Sequence, residues 1–176
     1  MLTHRRDLLK GALGAASLAA IAGPAFATAP ARSLSLLNLH TGEKLNATFW
    51  EAGQYLPDAL QAMNHLLRDF RTGDVHPIAP GLLDLVSALS HKFEAAGSVQ
   101  VISGYRSPKT NAALHARSDG VATHSLHMQG QAMDIRMPGV QLADLRKGAL
   151  DMKRGGVGYY PSSNFVHVDI GRVRQW

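Results

Sequence analysis

The chain has 176 residues, no cysteine, nine histidines and a formal charge of +5. That length suits one domain around one core, and the lack of cysteine excludes thiolate metal sites, disulfide scaffolds and a cysteine nucleophile. Any bound metal must therefore be held by His, Asp or Glu. The modest positive charge favours anionic polymers, but no basic run with interleaved aromatics points to nucleic acid.

Part of that charge lies at the N-terminus, where Arg5, Arg6 and Lys10 outweigh Asp7. Arg5-Arg6-Asp7-Leu8-Leu9-Lys10 resembles a twin-arginine export signal. A small-residue apolar segment follows from Gly11 to Gly23, and Ala25-Phe26-Ala27 offers a cleavage site, with Ala27-Thr28-Ala29 as a second choice. A spanning helix needs roughly 20 strongly apolar residues, and this segment is too short and too rich in Gly and Ala. No cysteine follows it, so lipid anchoring of that kind is excluded. The expectation is a leader over 1–27 and a single domain over 28–176, exported to the periplasm or cell envelope with no lasting membrane anchor.

From Arg32 to Trp50 the apolar residues alternate loosely around His40-Thr41-Gly42-Glu43, which reads as a β-hairpin. Glu51 to Gln54 is a loop. Pro57-Asp58 opens a helix whose apolar face is Leu60, Met63, Leu66 and Leu67, continuing to about Phe70. Arg71 to Asp74 breaks it. A second helix runs from about Pro80 to Ala95 and ends at Gly97. His65 and His91 occupy polar positions of these helices and read as surface residues, as do His40, His76 and His115.

Ser98 to Ser103 reads as a strand, followed by Gly104-Tyr105-Arg106-Ser107-Pro108 and a short helix from Lys109 to Arg117. A third substantial helix covers Leu142 to Met152. Gly155-Gly156-Val157-Gly158 is a Gly-rich strand or turn without the context of a phosphate-binding loop. Phe165 to Ile170 is the last strand. Helices and strands mix without a regular βαβ alternation, so the expected class is α+β, a small antiparallel sheet flanked by helices.

The stretch Ser125-Leu126-His127-Met128-Gln129-Gly130-Gln131-Ala132-Met133-Asp134 carries the chemistry. A hydrolytic zinc site uses three N/O ligands and a water. On one helix His127 and Asp134 would lie about 10.5 Å apart along the axis, and on one strand about 23 Å. Only a chain reversal brings them to one ion, and Gly130 supplies the freedom for it. In His167-Val168-Asp169, residues i and i+2 of a strand share a face, so both polar side chains could face one cleft while Val166, Val168 and Ile170 face the core. Spacing alone leaves open that these are satisfied polar groups in a core.

Ser125-x-His127-x-x-Gly130-x-Ala132-x-Asp134 resembles the signature of the zinc D-Ala-D-Ala peptidase family, which shares its metal site with hedgehog domains. The nearer likeness is to a cell-wall branch, the YcbK-like murein endopeptidases with twin-arginine leaders. It is carried also by Ser103 to Ser107, Thr110-Asn111, Gly155 to Gly158, His167 to Gly171 and the ending Arg172-Val173-Arg174-x-Trp176. The resemblance implies a hedgehog/DD-peptidase-like zinc fold in which His127, Asp134 and His167 hold Zn2+. It also implies that Arg106 hydrogen-bonds the oxyanion and that Ser125 and Tyr105 contact substrate. Many relatives carry a carboxylate three residues before the last ligand; here that position is Asn164. Asp169 is then nominated as general base, with orientation of a ligand histidine or metal ligation as its alternatives, and His124 ranks behind it as incidental.

The implied partner is peptidoglycan peptide, cut at its cross-links by a monomeric enzyme, with no nucleic acid involved. Two other functions compete: a non-catalytic wall-binding module that keeps zinc for stability, and a D,D-dipeptidase or carboxypeptidase with a closed pocket. The short loops argue for an open groove.

Overall fold

The computed structural model describes residues 30–118 and 120–176. The expected leader over 1–27 lies outside the described residues. Strands β1 (Arg32–Asn38) and β2 (Lys44–Glu51) form the expected hairpin. Its turn is closed by the Asn38 side chain, which accepts from the N–H of His40 at 2.9 Å, and Gly42 takes φ +74°. A tight reversal at Ala52-Gly53 adds a short strand, β3 (Gln54–Tyr55), paired antiparallel to β2.

Helix α1 (Pro57–Leu66) begins at its proline but stops short of Phe70. Its last carbonyls are claimed by distant donors: Asn38 Nδ2 donates to Leu66 O at 2.9 Å, and the Tyr105 N–H donates to Leu67 O at 2.7 Å. Those bonds satisfy the helix end and stop the i→i−4 ladder there. Helix α2 (Pro80–Lys92) buries Leu82, Leu83, Leu85, Val86 and Leu89 and also ends before Ala95. The α1–α2 segment carries the chain from β1–β2 to β4 (Val99–Ser103), which lies parallel to β1 with Leu36 beside Val99.

Helix α3 (Pro108–His115) is capped by Ser107, whose hydroxyl accepts from the Thr110 N–H at 3.2 Å. A 3-10 turn over Leu126–Gln129 leads into β5 (Ala132–Arg136). Then come α4 (Leu142–Met152), β6 (Gly156–Tyr160), β7 (Phe165–Asp169) and β8 (Arg174–Gln175). Among the described residues these strands form one eight-stranded sheet in the order β3-β2-β1-β4-β5-β7-β6-β8. The α+β class is as expected. The sheet is larger than the expected small antiparallel one, and its β1–β4 and β6–β8 pairings are parallel.

Helices α1, α2 and α4 cover one face, where Leu34, Leu36, Val101, Met133, Ile135, Val166 and Val168 form the core. Alternation along β5 and β7 then puts Asp134, His167 and Asp169 on the opposite face. In the β5–β7 pairing Asp134 stands directly across from His167, and Met133 across from Val168. Met133 and Ile135 are fully buried, each contributing about 1.5–3 kcal/mol. A one-residue slip would expose both and bury Asp134 in the core, so the hydrophobic pattern holds the polar register.

Candidate metal centre

The chain reversal between His127 and Asp134 is the 3-10 turn. Ser125 caps it, accepting from the His127 N–H at 3.3 Å, and Gly130 ends it in the left-handed region at φ +65°. Gly130 is needed twice over. An L-residue is strained at that φ, and a Cβ there would overlap the Pro77 carbonyl oxygen, while the Gly130 carbonyl accepts from the Ala79 N–H at 2.9 Å.

Three ligand atoms converge: His127 Nε2, Asp134 Oδ1 and His167 Nδ1. Their separations are 3.2 Å from His127 to Asp134, 3.2 Å between the histidines and 2.8 Å from His167 to Asp134. All three residues are buried. The outer nitrogen of each histidine meets an acceptor: His127 Nδ1 donates to Gly104 O at 2.7 Å, and His167 Nε2 donates to Asp169 Oδ2 at 3.1 Å. A nitrogen that donates outward leaves its ring partner with the lone pair. Two imidazole lone pairs and a carboxylate oxygen thus face one another in a buried space, and such a set is stable around a cation or a shared proton. It is an all-N/O donor set of the kind that holds catalytic zinc. The three residues are therefore placed to hold a metal ion.

Without an ion, the same contacts set the charge states of the cluster. Burial alone would push the Asp134 carboxyl up, but His127 and His167 outweigh it and hold it well below the usual range. Burial lowers His167, yet hydrogen bonds and charge from Asp134 and Asp169 raise it above its ordinary value.

Asp169 does not face the cleft as expected. It is 0% exposed, and every direction around its carboxylate is used. Oδ1 accepts from the N–H groups of Gly156 at 2.9 Å and Gly171 at 2.8 Å and from Arg174 at 3.1 Å, while Oδ2 accepts from Arg174 at 2.7 Å and from His167. Burial raises this carboxyl, but the His167 and Arg174 contacts and the two backbone donors hold it far below the usual range. The reason is the C-terminal chain: residues after Asp169 fold over it and bring Arg174 in from β8. Arg174 belonged to the matched ending without a role, and no spacing in the sequence placed it at Asp169, because burial of that face of β7 is known only from the structure.

Arg106 lines the cleft, with Nη2 3.7 Å from Asp134 Oδ2 and Nη1 donating to Asn111 Oδ1 at 3.4 Å. Its backbone N–H donates to His127 O at 3.1 Å, which locks the two motifs together. Burial lowers its pKa, partly offset by Asp134. Its Nε is buried with no acceptor among the described residues, a cost of about 1–3 kcal/mol. Tyr105 turns the other way. Its N–H goes to Leu67 O and its ring stacks on His76 at 4.7 Å, outside the cleft, because successive side chains of an extended segment point to opposite sides. Ser125 and His124 line the cleft. Asn164 lies outside it in a left-handed turn (φ +53°) between β6 and β7, a conformation that asparagine tolerates.

The cleft has a volume of about 310 Å³. Its far wall, which the sequence did not reveal, is aromatic: Tyr160, Phe165 and Trp176. The Gly-rich run explains how that wall and Asp169 fit together. A Cβ at Gly155 would overlap Asp169 O, one at Gly156 would overlap Arg174, and one at Gly158 would lie 2.7 Å from the Trp176 ring.

Comparison with known proteins bears on this site. The profile described as peptidoglycan L,D-endopeptidase MepK matches residues 26–176. The chain is 48% identical to the peptidoglycan L,D-endopeptidase MepK of Escherichia coli (strain K12), covering 98% of this chain and 97% of the relative. The protein of the same name from Shigella flexneri is also 48% identical. The probable peptidoglycan L,D-endopeptidase MepK of Haemophilus influenzae is 41% identical over 82% of this chain and 78% of the relative. No solved structure gave a significant match. A profile that spans the whole described region, together with relatives matched almost end to end, leads to one assignment: the chain belongs to the MepK family of peptidoglycan L,D-endopeptidases.

Proposed function

We propose that this protein is a zinc-dependent endopeptidase that hydrolyses peptide cross-links of peptidoglycan at the L,D bond. The observation that carries this is the convergence of His127 Nε2, Asp134 Oδ1 and His167 Nδ1 beside a cleft, in a chain of this family. Bound there, zinc would polarise the scissile carbonyl and lower the pKa of a water toward ~7.

The chain's own groups do the rest. Gly104 O and Asp169 fix the two imidazoles in the tautomers that turn their lone pairs inward. Arg106 donates to the carbonyl oxygen as negative charge develops on it; its place in the cleft wall beside Asp134 supports that role. Asp169, sealed from the cleft, orients His167 and does not exchange protons with substrate. Ser125 supplies polarity at the cleft rim. The same reading puts the protein in the cell envelope, where its substrate is, with 1–27 as an export leader and the domain acting as a monomer. Among the described residues, no helix is long and apolar enough to cross a membrane.

The test is digestion of purified cross-linked muropeptides. Cleavage to monomers is expected with zinc, its loss with chelator and its return on adding zinc back. If no cross-linked species is shortened under any condition, the enzyme assignment fails. Binding to sacculi without cleavage would then favour a wall-binding module, and cleavage of free D-Ala-D-Ala a dipeptidase.

A further inference from the structure

The aromatic wall has no role in the mechanism above, yet it is built with care. Trp176 is held by its backbone in the sheet: its N–H donates to Val157 O at 3.2 Å, and its carbonyl accepts from the Tyr159 N–H at 3.1 Å. Its ring passes over Gly158, lies 5.2 Å from the His167 ring and has the Arg174 guanidinium 4.8 Å away. The indole Nε1–H donates to Tyr160 Oη at 2.7 Å. Phe165, paired with Tyr160 across β6–β7, stacks on the Tyr160 ring at 4.6 Å. Tyr160 is thus held by the backbone, by a stack and by one hydrogen bond.

The direction of that hydrogen bond matters. An indole N–H can only donate, so the phenol oxygen accepts and keeps its own proton for another partner. Among the described residues no acceptor meets that proton, and Tyr160 lines the cleft. We propose that Tyr160 is a substrate-contacting residue, its O–H donating to a carbonyl or carboxylate oxygen of the peptide bound across the metal centre, and that Trp176 is the positioning residue that aims it. The inference rests on the peptidoglycan reading for the identity of the peptide. It gives the glycine at 158 a purpose as well, since any side chain there would displace the indole.

Tyr160→Phe tests it cleanly, because the ring and its stack remain and only the hydroxyl goes. The zinc-loaded protein is compared with wild type for cleavage of cross-linked muropeptide and, by calorimetry, for binding of the monomeric muropeptide product. The expected result is a rise of about threefold to tenfold in KM and in Kd, the range of one neutral hydrogen bond, with zinc affinity and melting temperature unchanged. Trp176→Phe keeps a ring but loses the N–H, and a smaller rise of about twofold to fivefold is expected. The double variant should be no worse than Tyr160→Phe alone, since Trp176 acts through the hydroxyl.

Wild-type KM and Kd in Tyr160→Phe overturn the contact. Additive effects in the double variant overturn the positioning role, since packing alone would give that. A protein that binds the product but never cleaves the cross-link removes the endopeptidase assignment, while the Tyr160 contact is still decided by the Kd values.

Discussion

Asp169→Asn separates orientation from proton transfer. The asparagine oxygen can keep the bonds from Gly156 and Gly171. Its amide then replaces Oδ2 and points N–H groups at the Arg174 guanidinium and at His167 Nε2–H. His167 escapes the donor–donor conflict by moving its proton to Nδ1, the atom that faces Asp134 and His127. That tautomer has no lone pair for the metal. Loss of such an outer partner lowers metal affinity by about 10- to 100-fold, or about 1.4–2.7 kcal/mol. Breaking a fully buried ion pair costs about 3–5 kcal/mol; the Arg174 side chain is 30% exposed and can rehydrate, so about 2 kcal/mol is expected here. Zinc competition against a chromogenic chelator measures the first figure and denaturant unfolding the second. Cleavage at saturating zinc supplies the decisive reading. An orienting residue predicts recovery to within about tenfold of wild type. Wild-type zinc affinity with turnover about a thousandfold down at saturating zinc would instead make Asp169 the proton-transfer group and refute the assignment.

The remaining predictions concern the supports of the site. Asp69 is 1% exposed and accepts from Ser107 N–H at 2.9 Å and Ser107 Oγ at 2.7 Å, anchoring the segment that carries Arg106. Burial pushes its carboxyl up, but the donors from Thr110, Ser107 and Arg71 bring it down from 3.8 to about 2. A depressed folded pKa gives stability that is present above the ordinary value and lost as pH falls through the folded one. Wild type should therefore lose about 2 kcal/mol more than Asp69→Asn between pH 5 and about pH 2 in urea unfolding; parallel pH profiles would contradict this. Gly130→Ala must adopt φ +65° and displace the Pro77 carbonyl, so a loss of at least about 2 kcal/mol is expected in thermal denaturation, with weaker zinc binding; an unchanged melting temperature would count against the close approach. Arg106→Lys removes the planar fork, and kcat should fall by about 100-fold with KM little changed. A change confined to KM would make Arg106 a ground-state binder.

Much of the fold was legible because it is local. Alternation marked the β1–β2 hairpin and β7, helical spacing marked α2 and α4, and the distance between His127 and Asp134 along any regular element required a reversal at Gly130. That His167 would join His127 and Asp134 came from the resemblance to the zinc peptidase signature, and it is the β5–β7 pairing that sets Asp134 across from His167. What the residues alone could not decide was where side chains end when the partner is far along the chain. Helix α1 stops at Leu66 because Asn38 and Tyr105 take its last carbonyls. Asp169 shares a face with His167 as alternation demands, but the fold-back of β8 beside β6 closes over it, so the carboxylate expected in the cleft is buried against His167 and Arg174. The same pairing sets Trp176 over Gly158 and against Tyr160. Sequence periodicity specifies which face a residue occupies. Only the long-range register specifies whether that face is open to substrate or sealed by another strand.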